Sequence, residues 1–219
     1  MSGAADIATA PEHRFAATPA ALAGADPRSR LLAATVATVA EHGYGATTVT
    51  QIAFKAGVSH QAFVRHFADK EACYLAAYDV VVDWLGVEIR AALGRRGGWP
   101  RGVRTAVEAT LSLVAADPRL ARFCAIEPFF ASAPALERHR ATVARLAAPL
   151  AAAGRAHCAW GAELPSELEE TIVGGAIWSI ASHVRAAGGD RLAELAPELT
   201  YFLLTPYLDV AEARRLAEE

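Results

Sequence analysis

Apolar residues recur at helical spacing along most of the chain, and polar caps, glycines and prolines cut that pattern into segments. Leu32, Val36 and Val39 fall at i, i+4 and i+7, which predicts an amphipathic helix from Arg28 to His42, stopped by Gly43-Tyr44-Gly45. Thr48 followed three residues later by Gln51 is a capping box, so a second helix should begin at Val49 and bury Ile52 and Ala53. Ala56-Gly57 ends it, because glycine reaches positive φ without steric cost. Ser59 is an N-cap residue for another short helix, to about Phe67, anchored by Phe63. Two short helices joined by such a turn form a helix-turn-helix, whose second helix can enter the DNA major groove. Asp69 then opens a longer helix. Leu75, Tyr78, Val82, Leu85, Ile89 and Leu93 mark its stripe as far as Gly94. Roughly 25 residues at helical rise span about 37 Å, enough to join a DNA-binding head rigidly to a body.

Beyond Gly94 the same logic predicts helices from Pro100 to about Ala116 and from Asp117-Pro118 through Phe123 and Ile126. Others should run from Pro134 to about Ala153 and from Pro165-Ser166 to about Ala187. The last two are expected over Arg191–Thr205 and Pro206–Ala217, with Pro206 as a break. No stretch alternates with period two and no internal repeat is visible, so the fold class is all-α. The expected division is a tail over 1–25, a helix-turn-helix DNA-binding domain over 26–72, and an α-helical ligand-binding and dimerisation domain over 73–219. The tail lacks periodicity and holds one basic residue, Arg14.

Composition narrows the class. The chain is 219 residues long and 53% hydrophobic, yet no apolar run reaches the ~18 residues that span a bilayer. No secretory signal is visible, and three cysteines without metal-ligand spacing read as thiols in a reducing cytoplasm. The net charge of −3 argues superficially against nucleic acid, but its distribution does not. Arg28, Arg30, Lys55, Arg65 and Lys70 face only Glu41 and Asp69 between residues 27 and 70, which leaves the helix-turn-helix region positive. No catalytic arrangement, metal-ligand set, P-loop or dinucleotide fingerprint appears, so neither an enzyme nor a cofactor is expected.

The block RLLAATVATVAEHGYGATTVTQIAFKAGVSHQAFVRHFADKEACYLAAYD resembles the N-terminal domain of TetR-family transcriptional regulators. The resemblance covers about residues 28–80, with GY, TTV, IA, AGVS, HF and DKE in order and without gaps. It implies a homodimer that binds a palindromic operator in double-stranded DNA and answers to a small-molecule effector, most often as a repressor. One position departs. A tyrosine that contacts a phosphate usually follows the residue matching Phe63, and this chain has Val64.

On this reading Ser59, His60, Gln61 and Ala62 face base edges. Gln61 is suited to adenine, His60 to a purine edge and Ala62 to a thymine methyl. Arg65, His66 and Lys70 are expected at phosphates, together with Thr47, Thr48 and Thr50. In the body, Trp84, Phe123, Phe129, Trp178 and His183 are the candidate ligand contacts, since an apolar pocket needs large side chains and a few polar groups. Gly174-Gly175 in mid-helix suggests close helix approach, and the resemblance places a dimer interface there. The competing reading is an all-α bundle, binding module or enzyme, whose N-terminal domain no longer binds DNA; Val64 and the negative net charge favour it.

Overall fold

The computed structural model describes residues 22, 24–94 and 97–219, and each regular element in it is helical. Most of the expected tail, Arg14 included, lies outside the described residues. The first four helices are α1 (Pro27–His42), α2 (Val49–Lys55), α3 (His60–His66) and α4 (Lys70–Leu93). Each is started by its own side-chain cap. Asp26 accepts from the Arg28 and Ser29 amides, Thr48 closes the capping box with Gln51, Ser59 accepts from Ala62, and Asp69 accepts from Ala72. Gly57, at φ 65°, makes the turn between α2 and α3. Leu31, Leu32, Val39, Ile52 and Phe63 meet in the head's core, which Tyr74, Tyr78, Leu120 and Phe123 complete. The head's packing thus runs across residue 72 into the body.

The body begins with α5 (Trp99–Ala116), followed by a short α6 (Arg119–Ala121) and a π-helix (Arg122–Ile126). Next come α7 (Pro128–Ala131), α8 (Ala133–His157), α9 (Leu168–Ala187), α10 (Ala196–Leu204) and α11 (Val210–Glu218). Val107, Leu111, Ile180, Leu204 and Tyr207 are among the residues of a second core.

Several boundaries differ from the sequence expectation, each for a tertiary reason. Helix α8 runs through Pro149 and past Gly154. Gly154 stays inside the helix, and the Tyr207 ring, 2.6 Å from where a Cβ would stand, is why the residue there is glycine. Helix α9 starts at Leu168, since Pro165-Ser166 forms a turn closed by Leu168 N–H on the Pro165 carbonyl. Arg191 sits in the left-handed region, so a 3-10 turn (Leu192–Leu195) precedes α10. Asp209, and not Pro206, starts the last helix by accepting from the Glu212 amide. Gly174 and Gly175 are also looser than expected: an added Cβ would meet Val143 at 3.9 Å and Phe202 at 3.5 Å, ordinary contact distances. Nothing inside the subunit requires glycine at either position.

Candidate nucleic-acid interface and ligand cavity

Helix α3 buries Ala62 and Phe63 and turns His60, Gln61, Val64, Arg65 and His66 outward. Burying one stripe on α1 and α2 leaves the opposite stripe as an exposed ridge, polar except for Val64, the form a groove-entering helix needs. Ser59 is exposed, with its hydroxyl accepting from the Ala62 amide. Thr48 and Thr50 are exposed at the start of α2, although the Thr48 side chain is engaged in the capping box.

Three expected DNA contacts need correction. Ala62 is only 7% exposed, so its methyl packs inward and does not meet a base. Thr47 is buried and gives its hydroxyl hydrogen to the Gly43 carbonyl at 2.8 Å, which closes the loop before α2. Lys70 donates to the carbonyls of Tyr44 and Thr47 at 2.8 and 2.9 Å, with its ammonium 4.0 Å over the Tyr44 ring. Its pKa is lowered by desolvation. Lys70 therefore pins the loop that carries α2, and Arg65 and His66 remain as the outward basic pair of α3.

A cavity of about 180 Å³ lies in the body, walled mainly by aliphatic side chains such as Val82, Leu85, Val107, Leu146, Ile177 and Leu203. Its polar lining is Tyr78, Thr110, Cys124, His139 and Thr142, and no charged side chain lines it. Burial raises the pKa values of the Tyr78 phenol and the Cys124 thiol and lowers that of the His139 imidazole, so all three stay uncharged. His139 Nδ1 lies 3.1 Å from the Cys124 carbonyl and 3.3 Å from the Tyr78 hydroxyl.

None of the five expected ligand residues lines this cavity. Phe123 is fully buried between the Tyr74 and Tyr78 rings. Trp84 packs against the head's core, its indole N–H without a partner among the described residues. Phe129 and Trp178 are more than half exposed; Phe129 sets its ring against the outer side of His139. His183 bonds the Asp190 carbonyl at 3.2 Å. The wall is aliphatic because it forms where helix faces rich in Val, Leu, Ile and Ala converge, and the bulky aromatics fill gaps elsewhere. Tyr78 and His139, 61 residues apart, gave no joint signal in the sequence.

Cavity and head are in direct contact through one segment. Leu120, Ala121, Cys124 and Ala125 line the cavity. From the same stretch, the Glu127 carboxylate, 4% exposed, accepts the Tyr44 amide at 2.7 Å and the Arg122 guanidinium at 3.0 Å. Arg122 also reaches the Glu41 carbonyl at the end of α1, and the Tyr74 hydroxyl donates to the Phe123 carbonyl at 3.2 Å.

This head is one that known proteins share. Residues 31–77 match the model of the bacterial regulatory proteins of the tetR family, so the head is a tetR-type domain. No curated protein sequence matches the chain. Among solved structures it resembles the fatty acid degradation regulator FadR of Bacillus halodurans, 20% identical over 82% of this chain and 95% of that one, with a TM-score of 0.73. It also resembles FadR of Bacillus subtilis in complex with stearoyl-CoA, 16% identical over 80% and 97%, TM-score 0.70. A third is the ketosteroid transcriptional regulator KstR2 of Mycobacterium tuberculosis, 19% identical over 88% and 98%, TM-score 0.62. These similarities carry the fold of the body as well as the head.

Proposed function

We propose that the protein is a dimeric repressor that reads a palindromic operator with one α3 from each subunit and leaves it when a small, mainly apolar ligand occupies the body cavity. The observation that carries this reading is the shared wall: the segment lining the cavity also holds the head through Glu127, Arg122 and Phe123. A ligand that moves Cys124 or Ala125 moves the carboxylate on which the Tyr44 amide rests. Helix α4 adds a second link, contributing Tyr78 and Val82 to the wall and following directly on the head. That FadR of Bacillus subtilis has been captured with stearoyl-CoA, and that KstR2 is a ketosteroid regulator, supports an apolar effector.

In this scheme residues 26–72 form the DNA-binding unit, residues 73–219 bind ligand and dimerise, and the protein works in the cytoplasm without catalysing a reaction. Gln61 and His60 read bases, while Arg65, His66, Thr48 and Thr50 hold phosphates. The dimer face is assigned to α9 and α10, where Gly175, Trp178 and Phe202 are exposed together with no packing need for the glycine inside the subunit. No helix among the described residues is long and apolar enough to cross a membrane.

The test is a binding titration with duplex DNA from the promoter region flanking the protein's own gene, across a range of salt. Affinity should fall by about 0.9 log unit per phosphate neutralised for each log unit of salt, and Gln61→Ala should relax discrimination at one base pair. A protein that stays monomeric at micromolar concentration, or binds all duplexes alike, would overturn the reading.

A further inference from the structure

The hydrogen bonds around His139 fix which proton the cavity offers. A carbonyl oxygen only accepts, so the Nδ1 facing the Cys124 carbonyl carries the hydrogen, and in the neutral ring Nε2 carries none. A protonated Nδ1 cannot accept in turn. The Tyr78 oxygen at 3.3 Å is therefore a second acceptor for that N–H, and the tyrosine's own hydrogen points away from His139. The other hydroxyls on the wall are committed: Thr110 donates to the Ala106 carbonyl at 2.7 Å and Thr142 to the Arg138 carbonyl at 2.8 Å. The Thr142 hydroxyl oxygen is a hydrogen-bonding neighbour of Tyr78, so a ligand oxygen competes with it for the tyrosine hydrogen. An acceptor oxygen placed between these two hydroxyls takes the tyrosine hydrogen. The Cys124 thiol is the remaining donor, and a weak one.

We infer that this cavity selects an uncharged, mainly apolar molecule carrying one acceptor oxygen, such as a ketone, ester or ether, seated on the Tyr78 hydroxyl. An ionised carboxylate drawn fully inside would meet no cation, because the lining holds none, and its desolvation would go uncompensated. A pure hydrocarbon would fit the aliphatic wall but make no hydrogen bond to the tyrosine. The inference rests on the reading of this cavity as the effector site.

The experiment uses the full chain without DNA and three matched probes: a medium-chain methyl ketone, the n-alkane of the same length and the carboxylate of the same length. Binding is followed by calorimetry. The ketone should bind roughly 3–10-fold more tightly than the alkane, the worth of one hydrogen bond, and the carboxylate most weakly. Tyr78→Phe should erase the advantage of the ketone over the alkane while both still bind. A carboxylate that matches the ketone, or a ketone preference that survives Tyr78→Phe, overturns the assignment. Ala176→Phe, which fills the cavity, should abolish all three; its melting curve reports whether it folds. Binding unchanged in a folded Ala176→Phe protein, or no binding of any probe to the wild type, overturns the cavity as the effector site itself.

Discussion

Head and body are built by different means. Each of the four helices from α1 to α4 carries a side-chain cap at its own N-terminus, so each is specified by the few residues around it. In the body, α5, α6, α7, α9 and α10 start without a side-chain cap hydrogen bond; Ser132 before α8 and Asp209 before α11 do supply one. Those helices are held mainly by burial, around a cavity that leaves part of their apolar surface without partner atoms. The contrast suits a rigid reader attached to a deformable sensor. A reader must present α3 at a fixed angle, whereas a sensor must change shape for a modest free energy.

The largest break in that contrast should come from Phe63, 1% exposed in the head's core. Phe63→Ala should cost about 3–5 kcal/mol and abolish DNA binding, while Ile177→Val at the cavity wall should cost about 0.5–1.5 kcal/mol or less. Urea denaturation of the two variants measures both. Equal losses would mean that the body is packed as tightly as the head.

Caps give a smaller and sharper comparison. Thr48→Ala should cost about 0.5–2 kcal/mol because it opens the capping box. Glu167→Ala, at the uncapped start of α9, should stay within about 0.5 kcal/mol. Thermal melts that rank them the other way would refute local specification of the head.

Acid gives the smallest effect. Burial holds the pKa of His139 below its ordinary value, although the Cys124 carbonyl works in the other direction. The unfolded chain therefore takes up this proton before the folded one does. The contribution to stability is complete above about pH 6.5 and is lost as the pH falls from there toward the lowered folded-state pKa. His139→Gln should flatten the stability profile below about pH 6.5. An unchanged slope would show that His139 is not held neutral by the body.

The same contrast explains what could be read from sequence. Thr48 with Gln51, Ser59 and Asp69 act within three residues, so the starts of α2, α3 and α4 were visible in one dimension. The outward residues of α3 followed from that register. Ala62, Thr47 and Lys70 did not, because their fate depends on α1 and on the loop at Tyr44. In the body, Gly154 marks a close approach of Tyr207 and not a helix end, and Tyr78 meets His139 only after α4 and α8 have packed. Aromatic content pointed to Phe123 and Trp178, whereas the cavity wall is aliphatic and its polar point is a tyrosine beside a histidine. Glu127 stands just before Pro128, but its partner at Tyr44 is 83 residues away, so nothing near it in the chain signals its role.

The π-helix at Arg122–Ile126 has a consequence for how such a protein can vary by descent. A π-turn holds one residue more than an α-turn needs, so a single codon can be lost there while the helical path survives. Because the π-turn absorbs the extra residue, the turns on either side keep their register and the change is confined to the turn itself. The residues in that turn include Cys124, whose carbonyl faces His139, while Glu127, which holds Tyr44, stands just after it. On the proposed function, a single codon in this stretch can therefore alter the link between cavity and head while the outward face of α3 and most of the cavity wall stay as they are.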